Sequence, residues 1–170
     1  MRQVELITTG GTIEKTYDEF SGELSNKRSI VQRMLRRLRL DDAEVHVRRL
    51  MSVDSRDMTE EQREQIVRVA LAAMDLADAV IILHGTDTLA VTGERMLLTE
   101  PKPSVPIVLT GAMRPFEMRS SDAQQNLTEA LLASSMLDPG VYFAGHGKVL
   151  SFPGVHKNYE RGTFVKEPSA

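Results

Sequence analysis

Apolar and polar positions along the chain switch repeatedly between a period of two and a period near 3.6. "VELIT", from Val4, reads as a first strand that ends at Gly10–Gly11. The stretch from Thr12 to Lys27 is polar and shows no sustained period, so it reads as a long loop of functional or mobile character. Ile30, Val31, Met34, Leu35 and Leu38 then recur at helical spacing, and "AEVHVRRL" alternates through Val45 and Val47 as a second strand. Thr59-x-x-Gln62 is a capping-box pattern, followed by a stripe of Ile66, Val67, Ala70, Leu71 and Met74. Ala79–Leu83 is continuously apolar, as expected of a strand covered on both faces.

The alternation continues to the end of the chain. A helical pattern from Leu89 to Leu98 stops before Pro101, and "VPIVLTGAMRP" is again strand, glycine and polar turn. Ser121-x-x-Gln124 is a second capping-box pattern, ahead of Leu127, Ala130 and Leu131. "GVYFAG" and "KVLSF" read as final strands, with an irregular tail behind them. Its last residues, "YERGTFVKEPSA", are expected to dock late or stay partly mobile. The order βαβαβαβαβ, without early hairpin signals, predicts an α/β fold: a mostly parallel sheet with helices on both faces. Ligands of such sheets bind beyond the carboxyl ends of the strands. Gly10–Thr12, Ser52–Asp57, His84–Thr88 and Gly111–Arg114 each follow a predicted strand, so the small and polar residues gather at one sheet edge.

At 170 residues the chain reads as one domain, residues 1–170, long enough to bury a core without staples. It has no cysteine, which removes disulfides, thiolate metal sites and a thiol nucleophile, and suits a reducing compartment. The apolar run at the N-terminus is too short for a signal peptide, and no stretch approaches the ~20 apolar residues of a membrane span. A cytoplasmic location follows as the expectation, with no membrane partner. A net charge of −3 argues against nucleic acid as partner. Arg33, Arg36, Arg37 and Arg39 crowd one segment and read as a solvated helix face.

The loop "TTGGTIEKTY" can cradle a phosphate or carry a hydroxyl nucleophile. It lacks the spacing of a P-loop or a dinucleotide fingerprint, and a polar loop follows it rather than a helix. His46, His84, His146 and His156 are scattered without a metal-ligand spacing, so neither a metal nor another cofactor is expected. His84 reads as a residue that holds its loop by hydrogen bonds. A threonine nucleophile needs a proton acceptor and donors for the developing oxyanion. "GGT" and "HGT" each place a threonine behind a glycine at a strand end, offering two hydroxyls and two candidate N–H donors. Asp87 can orient a relay, grip an ammonium or cap the next helix, and Lys157, beyond the last strand, is the candidate base.

These residues resemble the N-terminal, catalytic domain of the bacterial-type L-asparaginases. The resemblance rests on "TGGTI" from Thr9, "SRDM" from Ser55, "HGTDTL" from His84 and "GAMRP" from Gly111, with looser matches at "SSDAQQNL" and the lysine of "VLSFPGVHK". It spans essentially the whole chain, whose length is most similar to the short, single-domain form. The resemblance implies Thr12 as nucleophile, Tyr17 as its helper, and Thr86, Asp87 and Lys157 as a second triad. It further implies that Ser55 and Asp87 hold the α-carboxylate and α-ammonium, with backbone contacts at Gly11 and Gly85 and the Ala112 carbonyl receiving the amide N–H. The implied reaction converts L-asparagine to L-aspartate and ammonia through a β-aspartyl enzyme. Arg56 stands where the family usually has glutamine, and it either pairs with the substrate carboxylate or points outward. The resemblance also implies a homo-oligomer, dimer or tetramer. Two other readings are an amidase subunit supplying ammonia to a partner, and a non-catalytic module binding asparagine or aspartate.

Overall fold

The computed structural model of the chain describes residues 1–166. In chain order the elements are β1 (Arg2–Gly10), a 3₁₀ turn (Thr12–Glu14), β2 (Thr16–Asp18), β3 (Glu23–Ser25), α1 (Val31–Leu35), β4 (Ala43–Val53) and α2 (Glu60–Ala73). There follow β5 (Ala79–Leu83), α3 (Leu89–Thr99), β6 (Pro106–Thr110), α4 (Ala123–Ala133), β7 (Gly140–Gly145), β8 (Lys148–Ser151), β9 (Val155–Asn158) and β10 (Thr163–Lys166).

Six strands form one sheet in the order β4-β1-β5-β6-β7-β8. All neighbours are parallel except the edge pair β7 and β8. Side chains alternate between faces, and the core divides accordingly. Leu6, Ile81, Leu83 and Val108 pack with Val31 and Met34 of α1 and Leu127, Ala130 and Leu131 of α4. Val80, Ile82, Ile107 and Leu109 pack on the opposite face with Ile66, Val67 and Ala70 of α2 and Leu89 and Met96 of α3. Every residue of β5 and β6 is buried, as continuous apolar runs require of strands covered on both sides. The chain steps from β1 to β4 on one side and continues from β5 on the other. Its switch point, where such sheets open a crevice, lies between β1 and β5.

Several local expectations need correction. The polar stretch after Thr12 holds a short turn and then a hairpin, β2 with β3, paired Thr16 to Ser25 through Asp18 to Glu23. Strands of three residues are too short to show a period. The helix expected through Leu38 regularises only over Val31–Leu35. Beyond it, Arg37 and Leu38 donate three residues back rather than four. The arginines there are not merely solvated, since Arg33 and Arg37 lie 6.0 and 4.7 Å over the Phe116 ring. The Thr59–Gln62 capping box forms in full. The one expected at Ser121–Gln124 does not, because Ser121 Oγ donates to the Arg114 carbonyl and Asp122 takes the N-cap position. The irregular tail is a second hairpin, β9 with β10, whose Phe164 packs on Phe143 with ring centroids 4.3 Å apart. Residues 163–166 of the tail are therefore an ordered strand, and 167–170 lie outside the described residues.

Candidate active site at the sheet switch point

Gly11 and Gly85 follow the two strands that flank the switch point, and they touch. A Cβ added to Gly11 would stand 2.5 Å from both Cα and N of Gly85, and Gly11 also holds φ +76°. Glycine is thus required there twice over, by conformation and by space. A Cβ on Gly85 would in turn lie 2.5 Å from Cβ and Oγ of Ser55, which is itself buried. These contacts draw the ends of β1, β4 and β5 together. Thr12 and Thr86, each the residue after its glycine, flank the same contact. The loop after β6 joins through Gly111, whose added Cβ would be 2.3 Å from the His84 carbonyl oxygen.

Lys157 reaches this edge from β9. It is inside a strand, not beyond the last one, and its Nζ donates to Thr86 Oγ1 and Asp87 Oδ1, both at 2.8 Å. Tyr159 donates its hydroxyl to the same Asp87 oxygen at 3.2 Å, and its ring lies 4.8 Å from Lys157 Nζ. Arg56 Nε donates to Asp87 Oδ2 at 2.6 Å. Burial pushes the Asp87 carboxyl up, but the hydrogen bonds from Lys157 and Arg56 outweigh it and hold the group below its ordinary value. Asp87 does not cap α3; Thr88 occupies that N-cap position. Of the two poses expected for Arg56, it takes the outward one. Its side chain is 74% exposed, yet it is tied to Asp87. Nothing in the sequence pointed to Tyr159.

The hydroxyl of Ser55 accepts from Thr88 N–H at 3.3 Å, and Thr88 Oγ1 donates to the Ser55 carbonyl at 2.9 Å. Ser55 therefore keeps its own proton for an acceptor in the crevice. The glycine N–H groups at the end of β1 are less available than expected. Gly11 N–H donates to the Val53 carbonyl and Gly10 N–H to the buried Glu14. The N–H groups of Thr12, Gly85, Thr86 and Asp87 have no acceptor among the described residues. The Thr12 hydroxyl is likewise without a side-chain partner there. Tyr17 is not brought to it: on β2 its side chain is exposed, while its backbone N–H donates to Glu117.

Two buried networks support these loops. Arg63 Nη1 donates to Thr92 Oγ1 at 2.8 Å, and Thr92 Oγ1 lies 2.7 Å from His84 Nε2. His84 Nδ1 lies 2.9 Å from the Gly85 carbonyl. Burial, and secondarily the Arg63 charge, push His84 down to about 4, so it is neutral near pH 7. One tautomer satisfies the chain, with Nδ1–H donating to Gly85 and Nε2 accepting from Thr92. His84 thus holds its loop, as expected. Asp122 accepts from Met113 and Arg114 N–H at 2.9 to 3.1 Å, Asn126 donates to the Gly111 carbonyl at 2.8 Å, and His146 bridges Asp122 to Thr163 of β10. The Ala112 turn is fixed to the hairpin that carries Lys157. Arg63 and His146 look like ordinary surface residues in the sequence, and only the fold gives them these partners. Among the described residues no group of three or more His, Asp or Glu could hold a metal ion, and no helix is long and apolar enough to cross a membrane.

A sequence model of the family described as Asparaginase, N-terminal, matches residues 3–163. The chain is 32% identical over 157 residues to an L-asparaginase of Thermococcus kodakarensis, covering 92% of this chain and 48% of that protein. It is 31% identical over 169 residues to a glutamyl-tRNA(Gln) amidotransferase subunit of Methanobrevibacter smithii, covering 98% of this chain and 38% of that protein. Among solved structures, the thermostable L-asparaginase from Thermococcus kodakarensis superposes with a TM-score of 0.78 at 27% identity. That superposition covers 99% of this chain and 57% of the other. The chain spans about half the length of the asparaginases it matches, and less of the amidotransferase protein.

Proposed function

We propose, from the premise that the chain belongs to the asparaginase family, that it hydrolyses the side-chain amide of L-asparagine to L-aspartate and ammonia. The observation that carries this reading is the Lys157 ammonium bonded to Thr86 and Asp87, beside the Gly11–Gly85 contact that sets Thr12 next to Thr86. A purely binding module has no need of a lysine aimed at a threonine hydroxyl.

In this reading the Thr12 oxygen adds to the carboxamide carbon, and the unpartnered N–H groups of the strand ends receive the developing oxyanion. The C–N bond then breaks, ammonia leaves with a proton, and a β-aspartyl ester remains on Thr12. Water next adds to the ester carbon, and the threonine oxygen departs and regains its proton. Thr86 and Lys157 move the proton, while Asp87 orients Lys157. Ser55 donates to the α-carboxylate, and the carbonyl of Ala112 receives the amide N–H. Tyr17 serves Thr12 only with the β2–β3 hairpin folded inward over the crevice. Gly11 and Gly85 supply close backbone approach. Assembly of identical copies and a cytoplasmic setting belong to the same reading. The test is ammonia release from L-asparagine and L-glutamine by the wild type, with loss of release in Lys157→Met.

A second reading is favoured by the likeness to the amidotransferase protein, which covers almost the whole chain. In it the same chemistry supplies ammonia to a partner protein. Co-purification with such a partner, and stimulation of ammonia release by it, separate that reading from a free-standing hydrolase.

A further inference from the structure

The carboxylates beside the nucleophile loop are already engaged. Asp87 holds Lys157 and Tyr159 through Oδ1 and Arg56 through Oδ2. Asp54 holds Lys15 at 2.8 Å through Oδ2 and the Arg56 N–H through Oδ1. Both oxygens of Asp87 are thus occupied, so an incoming ammonium has to displace a donor, whereas an incoming carboxylate meets the attraction of the Arg56 cation.

Arg56 is positioned to use that attraction. Its Nε is pinned to Asp87, while both terminal guanidinium nitrogens have no hydrogen-bond partner among the described residues. Anchoring at Nε fixes the plane of the guanidinium and turns the fork outward, the arrangement that suits paired recognition of a carboxylate. The neighbouring Ser55 hydroxyl retains a proton to donate. The guanidinium fork and the Ser55 hydroxyl are donors of adjacent residues at the strand-end edge, and the acceptor an α-ammonium would need is taken by Arg56.

We propose that Arg56, oriented by Asp87, seats the substrate carboxylate, and that the site prefers ω-monoamides of dicarboxylic acids without an α-amine, succinamate being the simplest. This rests on the amidohydrolase reading above and replaces its substrate preference, not its chemistry. The bond changes are the same: the carboxamide C–N bond breaks, water supplies the new C–O bond, and succinate and ammonia leave. L-Asparagine remains a substrate, but it has to displace Arg56 from Asp87.

The test compares kcat/KM for ammonia release from succinamate and L-asparagine in wild type and Arg56→Gln. A parallel measurement follows the melting temperature with succinate or L-aspartate. The proposal expects the wild type to favour succinamate and to be stabilised more by succinate. Arg56→Gln should shift the kcat/KM ratio toward L-asparagine by about tenfold, the worth of one hydrogen bond to a charged group. A wild type that favours L-asparagine, or a ratio unmoved by the substitution, overturns it. If neither amide releases ammonia, the hydrolase reading fails and binding decides. Stabilisation by succinate that is lost in Arg56→Gln then sustains the site assignment, and equal stabilisation by both diacids overturns it too.

Discussion

Lys157 and Thr86, 71 positions apart, are joined by a 2.8 Å hydrogen bond from Nζ to Oγ1. The β9–β10 hairpin exists in this position because Phe164, register partner of Lys157, packs on Phe143 in the core. Replacing Lys157 by Met removes the proton carrier and leaves a side chain of similar length. We expect kcat to fall by about 10²–10⁴-fold with little change in KM. Steady-state ammonia release and an unchanged far-ultraviolet spectrum check this.

The strand ends tolerate no bulk. Gly11→Ala places a Cβ 2.5 Å from the Gly85 backbone at a residue with φ +76°. Backbone cannot yield there as a flexible side chain would, so the substitution should cost about 2 kcal/mol or more and separate Thr12 from Thr86. Chemical denaturation reads the stability loss and ammonia release the loss of activity. Gly22→Ala is the control, because open space surrounds that glycine and only its φ of +72° resists.

Much of this architecture is legible in the sequence, for physical reasons that differ by element. The apolar runs of β5 and β6 announce buried parallel strands, and Thr59–Gln62 announces the start of α2. The glycines and threonines behind those strands mark the candidate catalytic edge because a parallel sheet brings its strand ends together. What the sequence hides is pairing between distant side chains. Arg56 with Asp87, Tyr159 with Asp87, and His146 with Asp122 each depend on how the chain crosses between strands. The two hairpins are equally hidden, since strands of three or four residues carry too little alternation to register.

Thr59→Ala should remove the hydroxyl that accepts from Gln62 N–H at the start of α2, leaving only the reciprocal bond from its own backbone N–H, and cost about 1 kcal/mol. The cap lies on exposed surface, so kcat and KM should stay at wild-type values. Urea denaturation checks the first expectation and initial rates the second.

Acid should weaken the fold first through His84. Its folded value, about 4, lies below its ordinary 6.5, so the unfolded chain binds that proton first as pH falls. Stability from keeping His84 neutral is complete above about 6.5 and is lost progressively toward 4, by up to about 3 kcal/mol. Asp87 and Asp122 are held below their ordinary 3.8 and act in the same direction only at lower pH. Glu14, raised by burial, opposes them, because its contribution is lost as pH rises. His84→Gln cannot take up the proton, so its melting temperature should vary less with pH between 6.5 and 4 than that of the wild type.

The engagement of Asp87 by Arg56 also predicts weak capture of an α-ammonium. For L-asparagine the KM should reach about 1 mM or more, the upper end of the usual range, and fall in Arg56→Gln. A wild-type KM in the low micromolar range, about 10 μM or below, contradicts this.

The central claim is that Thr12 breaks an amide bond, and ammonia release by wild type and Thr12→Ala tests it most directly. L-Asparagine is titrated to high concentration with each, alongside a melting curve of the variant. The account predicts saturable release from the wild type and none above background from a variant that melts normally. Undiminished release from folded Thr12→Ala would contradict it and move the nucleophile to Thr86.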